Sequence, residues 1–285
     1  MRALAPLALA LAAPPVAADT LVTQTGANAV RADFALPTPD GRIVRGSFFL
    51  DFAESSGLTP ANLNVRARLV DPADPALLAR FPGAGAGLSV PEAFPVMVSV
   101  SPLPGSGFAF SDAVAAEMYT KALAFTADSP FRVLKAPAGG AFNDQTTGVI
   151  EGSVRIRVRT HSFSDFLVVA DTRPAADAAR AAYARLSAKL DDGDVPAATR
   201  GLLQIDLDES FEEFLEGDYE DARDELDAFE LAVSAEAGVS LPNVWRAAGD
   251  LDNVAGALAA DAQNLDFHLA RLATAEGDDD EGDDD

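Results

Sequence analysis

Residues 152–160 read Gly-Ser-Val-Arg-Ile-Arg-Val-Arg-Thr, and this run decides the fold of the first half of the chain. Side chains alternate across an extended backbone, so Val154, Ile156 and Val158 fall on one face and Arg155, Arg157 and Arg159 on the other. The three guanidinium groups form a stripe with a spacing of about 7 Å, set by strand rise. Residues 62–70 (NLNVRARLV) repeat the pattern, with Val65, Ala67 and Leu69 opposite Asn64, Arg66 and Arg68. Residues 42–52 (RIVRGSFFLDF) follow the turn Pro39-Asp40-Gly41 and are rich in strand formers. Further strand runs lie at 96–100, 113–125, 149–158 and 163–170.

Period-2 alternation between Gly, Pro, Asn and Asp signals predicts an antiparallel, immunoglobulin-like β-sandwich over residues 19–172. Residues 71–95, with Asp71-Pro72, Asp74-Pro75 and a Gly-rich run at 81–87, read as a long irregular connection with a helical turn at 76–80. If the strands carrying Arg66 and Arg68 join the sheet of the stripe, all five arginines form one positive patch. That patch would dock anions or the chain's own acidic half; the bland alternative is a solvated face.

Charge divides the chain sharply. The 285 residues carry a formal charge of −24, of which residues 1–205 hold −1 and residues 206–285 hold −23. Such an acidic surface excludes nucleic acid as a partner. From Pro174 the period becomes helical: Ala179, Tyr183, Leu186 and Leu190 form one stripe, closed by Asp191-Asp192-Gly193-Asp194. Asp194 is expected to cap the next helix, whose apolar face is Leu203, Leu207, Phe211, Phe214 and Leu215. A break at Gly217-Asp218 and a helix ending at Gly238 follow. Val244, Ala248, Leu251, Ala255, Leu258, Ala262, Leu265, Leu269 and Leu272 then recur at spacings of four and three, a seam for helix packing flanked by Trp245 and Phe267. A helical bundle over 173–273 results, with a disordered acidic tail at 274–285. The fold class is thus α+β in two modules. Between Asp206 and Glu230, 13 acidic residues face one base, Arg223, so the helices carry repulsive i,i+4 pairs.

Residues 1–18 read as a signal peptide: Arg2, an apolar run from Leu4 to Leu11, and a small-residue end at Val16-Ala17-Ala18. The expected address is periplasmic or secreted, with no transmembrane segment in the mature chain. Zero cysteines exclude disulfides and thiolate metal sites.

Catalytic patterns are sparse. His161, Ser162, Ser164 and Asp165 sit together, but neighbours on a strand point to opposite faces and a triad draws on separate segments. Only His161 and His268 exist, which disfavours a histidine zinc site. The runs from Asp206 and from Asp250 fail the calcium-loop pattern, with Phe211 where glycine is required and Val254 in place of a ligand. No cofactor is predicted; weak divalent cation binding by the acidic half stays open.

Residues 134–142 (LKAPAGGAF), 163–171 (FSDFLVVAD), 242–246 (PNVWR) and 253–256 (NVAG) resemble an uncharacterised family of exported bacterial proteins, known only as a domain of unknown function. Residues 211–233 additionally resemble helical accessory modules of membrane-associated hydrolases. Those modules bring no catalytic residue that transfers here. The resemblance implies export and two modules, and no activity.

The sequence therefore points to a non-catalytic binding or surface-organising protein. A protein or glycan partner, or contact between its own modules, would use Arg66, Arg68, Arg155, Arg157 and Arg159. The alternatives are an exported hydrolase using Asp51, Glu54 or Glu151, and a calcium-responsive assembly component.

Overall fold

The computed structural model describes residues 20–126, 128–150 and 152–280. The expected signal peptide, Glu151 and the end of the acidic tail lie outside the described residues. The strand-built part runs β1 (Thr20–Gly26), β2 (Ala29–Pro37), β3 (Ile43–Asp51), β4 (Glu54–Ser56), α1 (Pro60–Leu63), β5 (Val65–Leu69), α2 (Pro75–Leu78), β6 (Leu88–Ser89), β7 (Val96–Val100) and β8 (Ala109–Ser111). It continues through β9 (Val114–Thr120), β10 (Phe131–Ala136), β11 (Asn143–Asp144), β12 (Thr146–Ile150), β13 (Val154–Thr160) and β14 (Asp165–Asp171). Then come α3 (Ala175–Leu190), α4 (Ala197–Glu216), α5 (Tyr219–Glu236), β15 (Val244–Arg246) and α6 (Val254–Asp280). The fold is α+β, with antiparallel sheets and several helices.

One sheet has the order β1-β2-β3-β9-β13-β12 and a second the order β11-β10-β14-β7-β5, with β6 beside β14. Their facing sides share a core: Leu50, Met118 and Ile156 of the first meet Ala67, Val98 and Val168 of the second. Phe48 and Phe166 touch across it at 4.9 Å between ring centroids. The outer side of the second sheet is covered too, because Leu77, Phe81, Leu88 and Val90 pack on Met97, Leu134, Leu167 and Val169. The 71–95 connection is therefore a packed cover. Burial on both faces explains why residues 166–170 form an unbroken apolar run and residues 96–100 are interrupted only by Ser99.

Several boundaries differ from the sequence expectation. The run at 149–158 is two strands, because a turn through Gly152, at φ +94, separates β12 from β13. β1 and β2 were not anticipated, although β2 alternates cleanly, with Val30, Ala32, Phe34 and Leu36 buried. The helical seam begins ten residues later than Val244, since Val244–Arg246 is a strand paired with β8. Pro242 and Gly249, at φ +72, frame this stretch, and Trp245 meets Phe108, Phe110 and Phe163 of the strand part. Val244, Ala248 and Leu251 therefore leave the seam. Asn253, whose Oδ1 accepts from the Gly256 amide at 2.8 Å, holds the real start of α6.

α3 to α6 share a core of Leu186, Leu203, Leu207, Phe214, Leu226, Phe229, Leu258, Leu265 and Leu269. Gly217 ends α4 in the left-handed conformation, as read from sequence. Asp194 does not cap α4: Pro196 stands at the cap position without a side-chain hydrogen bond. Phe211 and Leu215 are exposed rather than buried. α6 extends through Asp280, beyond residue 274 where the tail was placed. Among the described residues no helix is long and apolar enough to cross a membrane.

The helical part is not merely appended. It contributes β15 to the small sheet β15-β8-β4, and α6 lies against β12 and β13.

Candidate functional site

The site grows from a corner. At Asp144–Thr146 the chain crosses from the second sheet to the first, and buried polar groups there need partners that the ladders alone do not supply. α6 and α3 provide them. The Asp144 carboxylate accepts from the Thr146 amide at 2.9 Å and from His268 Nε2 at 3.0 Å. Asn264 Nδ2 donates to the Thr146 carbonyl at 2.8 Å. Asp261 Oδ1 accepts from Gln145 Nε2 at 3.0 Å and from Arg185 Nε at 2.9 Å, while Arg185 Nη2 donates to Asn264 at 2.6 Å.

Burial pushes the Asp144 carboxyl upward, but the hydrogen bond from His268, with the Arg132 charge and the Thr146 hydrogen bond, outweighs it and holds the group well down. Burial lowers His268 against the opposing pull of Asp144. Its Nδ1 has no partner among the described residues. A neutral ring protonated at Nε2 fits both facts, because a protonated ring would bury an unsatisfied N–H. Arg132 is also buried and lowered to about 10, chiefly by burial and by the nearby Arg271. It rests over the Phe267 ring at 5.0 Å and donates to the carbonyls of Ser129 and Phe131.

Beside this network opens a cleft of about 360 Å³. β10 contributes Lys135, the corner Gln145, the turn after β13 His161 and Ser162, and α3 Arg185 and Lys189. Asp261 and Asp192 supply its negative groups, but Asp261 is held by Arg185 and Asp192 by Lys189 at 3.2 Å. Lys135 is 7% exposed and forms no ion pair among the described residues. Its Nζ donates instead to Ser162 Oγ at 2.8 Å. Burial lowers its ammonium to about 7, with Asp261 pulling the other way. His161 is held well below its ordinary value by burial and by Lys135 and Lys189, so its ring is neutral. Gln145 Oε1 and His161 Nδ1 are buried without hydrogen-bond partners among the described residues. The cleft thus offers a buried amine outside any ion pair, two further cations, and two buried polar atoms without hydrogen-bond partners among the described residues.

The arginines named from sequence are not brought together. β13 belongs to the first sheet and β5 to the second, so Arg66 and Arg68 share no sheet with Arg155, Arg157 and Arg159. Arg66 bonds Asn64, and Arg68 reaches the Met97 sulfur. Arg155 pairs with Glu117 at 3.4 Å and covers the Tyr119 ring. Arg157 and Arg159 line a groove with Asp51 of β3 and Gln263 and Asp266 of α6, so that end of the stripe does face the helices. Glu54 is exposed in β4, away from any such gathering. Asp165 serves Arg80 and Ser99, which separates it from His161 and Ser162 as a catalytic group. The carboxylates of Glu213, Glu216 and Asp218 converge at the α4–α5 turn.

Sequence reasoning missed Lys135. Its signal was a lone lysine between Leu134 and Ala136 in an apolar strand, a position where a charge is buried unless the strand is an edge.

No curated protein and no solved structure matches the chain. A family model described as "Family of unknown function (DUF6689)" matches residues 6–273, and the chain belongs to that family.

Proposed function

We propose that this protein acts beyond the cytoplasmic membrane as a binding protein, and that its ligand is a small organic anion held in the cleft between strands and helices. Within this reading the facing sheets form an immunoglobulin-like sandwich and α3 to α6 a bundle that closes the cleft. The observation that carries it is Lys135, a buried amine that forms no ion pair among the described residues. Buried lysines without a partner are costly, and strongly perturbed groups in clefts concentrate where ligands bind. A cleft of this size suits a small metabolite. Arg185 and Lys189 add positive potential, and the unused Gln145 and His161 acceptors suit a hydroxyl or amide donor on the same ligand.

Calorimetric titration of the full chain with acetate, succinate, citrate and inorganic phosphate tests the reading. Binding of at least one anion should tighten from about pH 8 to pH 6, as Lys135 protonates, and take up protons above pH 7. Lys135→Met should abolish it. Absence of heat from every anion at millimolar concentration would overturn the proposal.

A further inference from the structure

The geometry points to Ser162 and Lys135 as a nucleophile–base pair that cleaves an ester or amide carrying an anionic group. This inference rests on the anion-binding reading of the same cleft and adds chemistry to it. Four observations support it. Lys135 Nζ and Ser162 Oγ lie 2.8 Å apart, within proton-transfer reach, although 27 residues separate them in sequence. They come from different elements, a buried strand and the turn after β13, as convergent catalytic groups do. Both line the cleft, where a substrate can approach. Finally, Arg185 lines the same cleft and spends Nε and Nη2 on Asp261 and Asn264, which leaves Nη1 outside those bonds and its charge beside the pair.

A lysine is useless as a base while it is an ammonium. Burial brings this one near neutrality at physiological pH, with Asp261 on α6 opposing; Arg185 and Lys189 are the other cations lining the cleft, and His161 is neutral. Asp192, the remaining charge at the rim, is occupied by Lys189.

The steps balance without an outside reactant other than water. Lys135 Nζ takes the Ser162 hydroxyl proton as Oγ bonds to the substrate carbonyl carbon. The tetrahedral oxyanion collapses, the bond to the leaving oxygen or nitrogen breaks, and that atom takes the proton from the Lys135 ammonium. Water then attacks the acyl-serine, again giving its proton to Lys135, and the Ser162 oxygen leaves and is reprotonated. The product acid gives its remaining proton to the freed Lys135 amine, which leaves a carboxylate beside the ammonium, the pair that the binding reading describes. The neutral His161 and the unused Gln145 acceptor orient the substrate rather than react.

The test treats the full chain at about pH 8 with a fluorophosphonate, locating the adduct by peptide mass spectrometry, and with p-nitrophenyl acetate and the monosuccinate ester. Expected are an adduct on Ser162, a kcat/KM that rises through about pH 7, and a preference for the succinate ester. Ser162→Ala should remove adduct and turnover. Lys135→Met should lower kcat/KM by about 100-fold or more while the protein melts no earlier, which separates lost chemistry from lost folding. No adduct on Ser162, with anion heats still present in calorimetry, overturns this inference and leaves the binding reading standing. Neither adduct nor heat overturns both.

Discussion

Replacing Lys135 with methionine should make the protein more stable, and the gain should vanish at high pH. Lys135 is 7% exposed, with no carboxylate partner among the described residues. Its ammonium titrates near 7 rather than at 10.5, because burial disfavours the charged form. That fall corresponds to about 5 kcal/mol against folding at pH 6, at 1.36 kcal/mol per pH unit. The sign follows from proton counting. Between about pH 7 and 10.5 the unfolded chain binds a proton that the folded chain does not, so stability rises with pH. Below 7 both states are charged and the full penalty applies; above 10.5 neither is. Methionine keeps the length and apolar stem, removes the charge, and forfeits a hydrogen bond to Ser162 worth about 1 kcal/mol. A net gain of about 2 to 4 kcal/mol is expected at pH 6, shrinking towards zero near pH 10.5. Urea unfolding of both proteins at these two pH values measures it. A variant less stable than the parent at pH 6, or a difference independent of pH, would refute the reasoning.

Four further outcomes follow from the same corner and from the charge pattern. Asp144→Ala should destabilise by about 2 to 3 kcal/mol, and Trp245 fluorescence and helical circular dichroism should be lost together, since the network joins strands to helices. His161 and His268, both held neutral by burial, contribute stability that is present above about pH 6.5 and lost below it. Melting temperature should therefore fall from pH 7 to pH 5, and less so in His268→Gln. On α4 and α5 the acids repel; burial and neighbouring Glu216, Asp221, Asp218 and Glu225 raise the Glu213 carboxyl. Raising salt from about 0.01 to 0.5 M should then stabilise the chain, as screening weakens those repulsions. Charge reversal at Arg157 and Arg159, which face Asp266, should cost more at low salt than at high.

How much of this was legible depends on the range of the interaction. Local periodicity gave β3, β5, β7 and most of α3, α4 and α5, because alternation and helical spacing are written in neighbouring residues. It gave the buried stretch of the last helix from Ala255 to Leu269 as well. It misplaced Val244, because the pull on Trp245 comes from Phe108, Phe110 and Phe163, more than eighty residues earlier. The arginine stripe was read correctly as one strand face, yet its union with Arg66 and Arg68 required knowing which strands share a sheet, and that is decided by topology. Charge segregation was real in sequence but suggested two separable modules. In the structure, Asp144, Gln145 and Thr146 bind His268, Asp261 and Asn264, residues about 120 positions away. Sequence sets Ser162 beside His161 and Asp165 because they are neighbours in the chain. Its actual partner is Lys135, which no spacing rule connects to it.

The most direct test of the account is the titration of the Lys135 side chain itself, followed by NMR of the labelled lysine ammonium in the full chain. The account predicts a midpoint near 7 that moves upward when a bound anion is present. A midpoint near 10.5, unmoved by any anion, would mean that Lys135 is an ordinary solvated amine and that the cleft has no special chemistry.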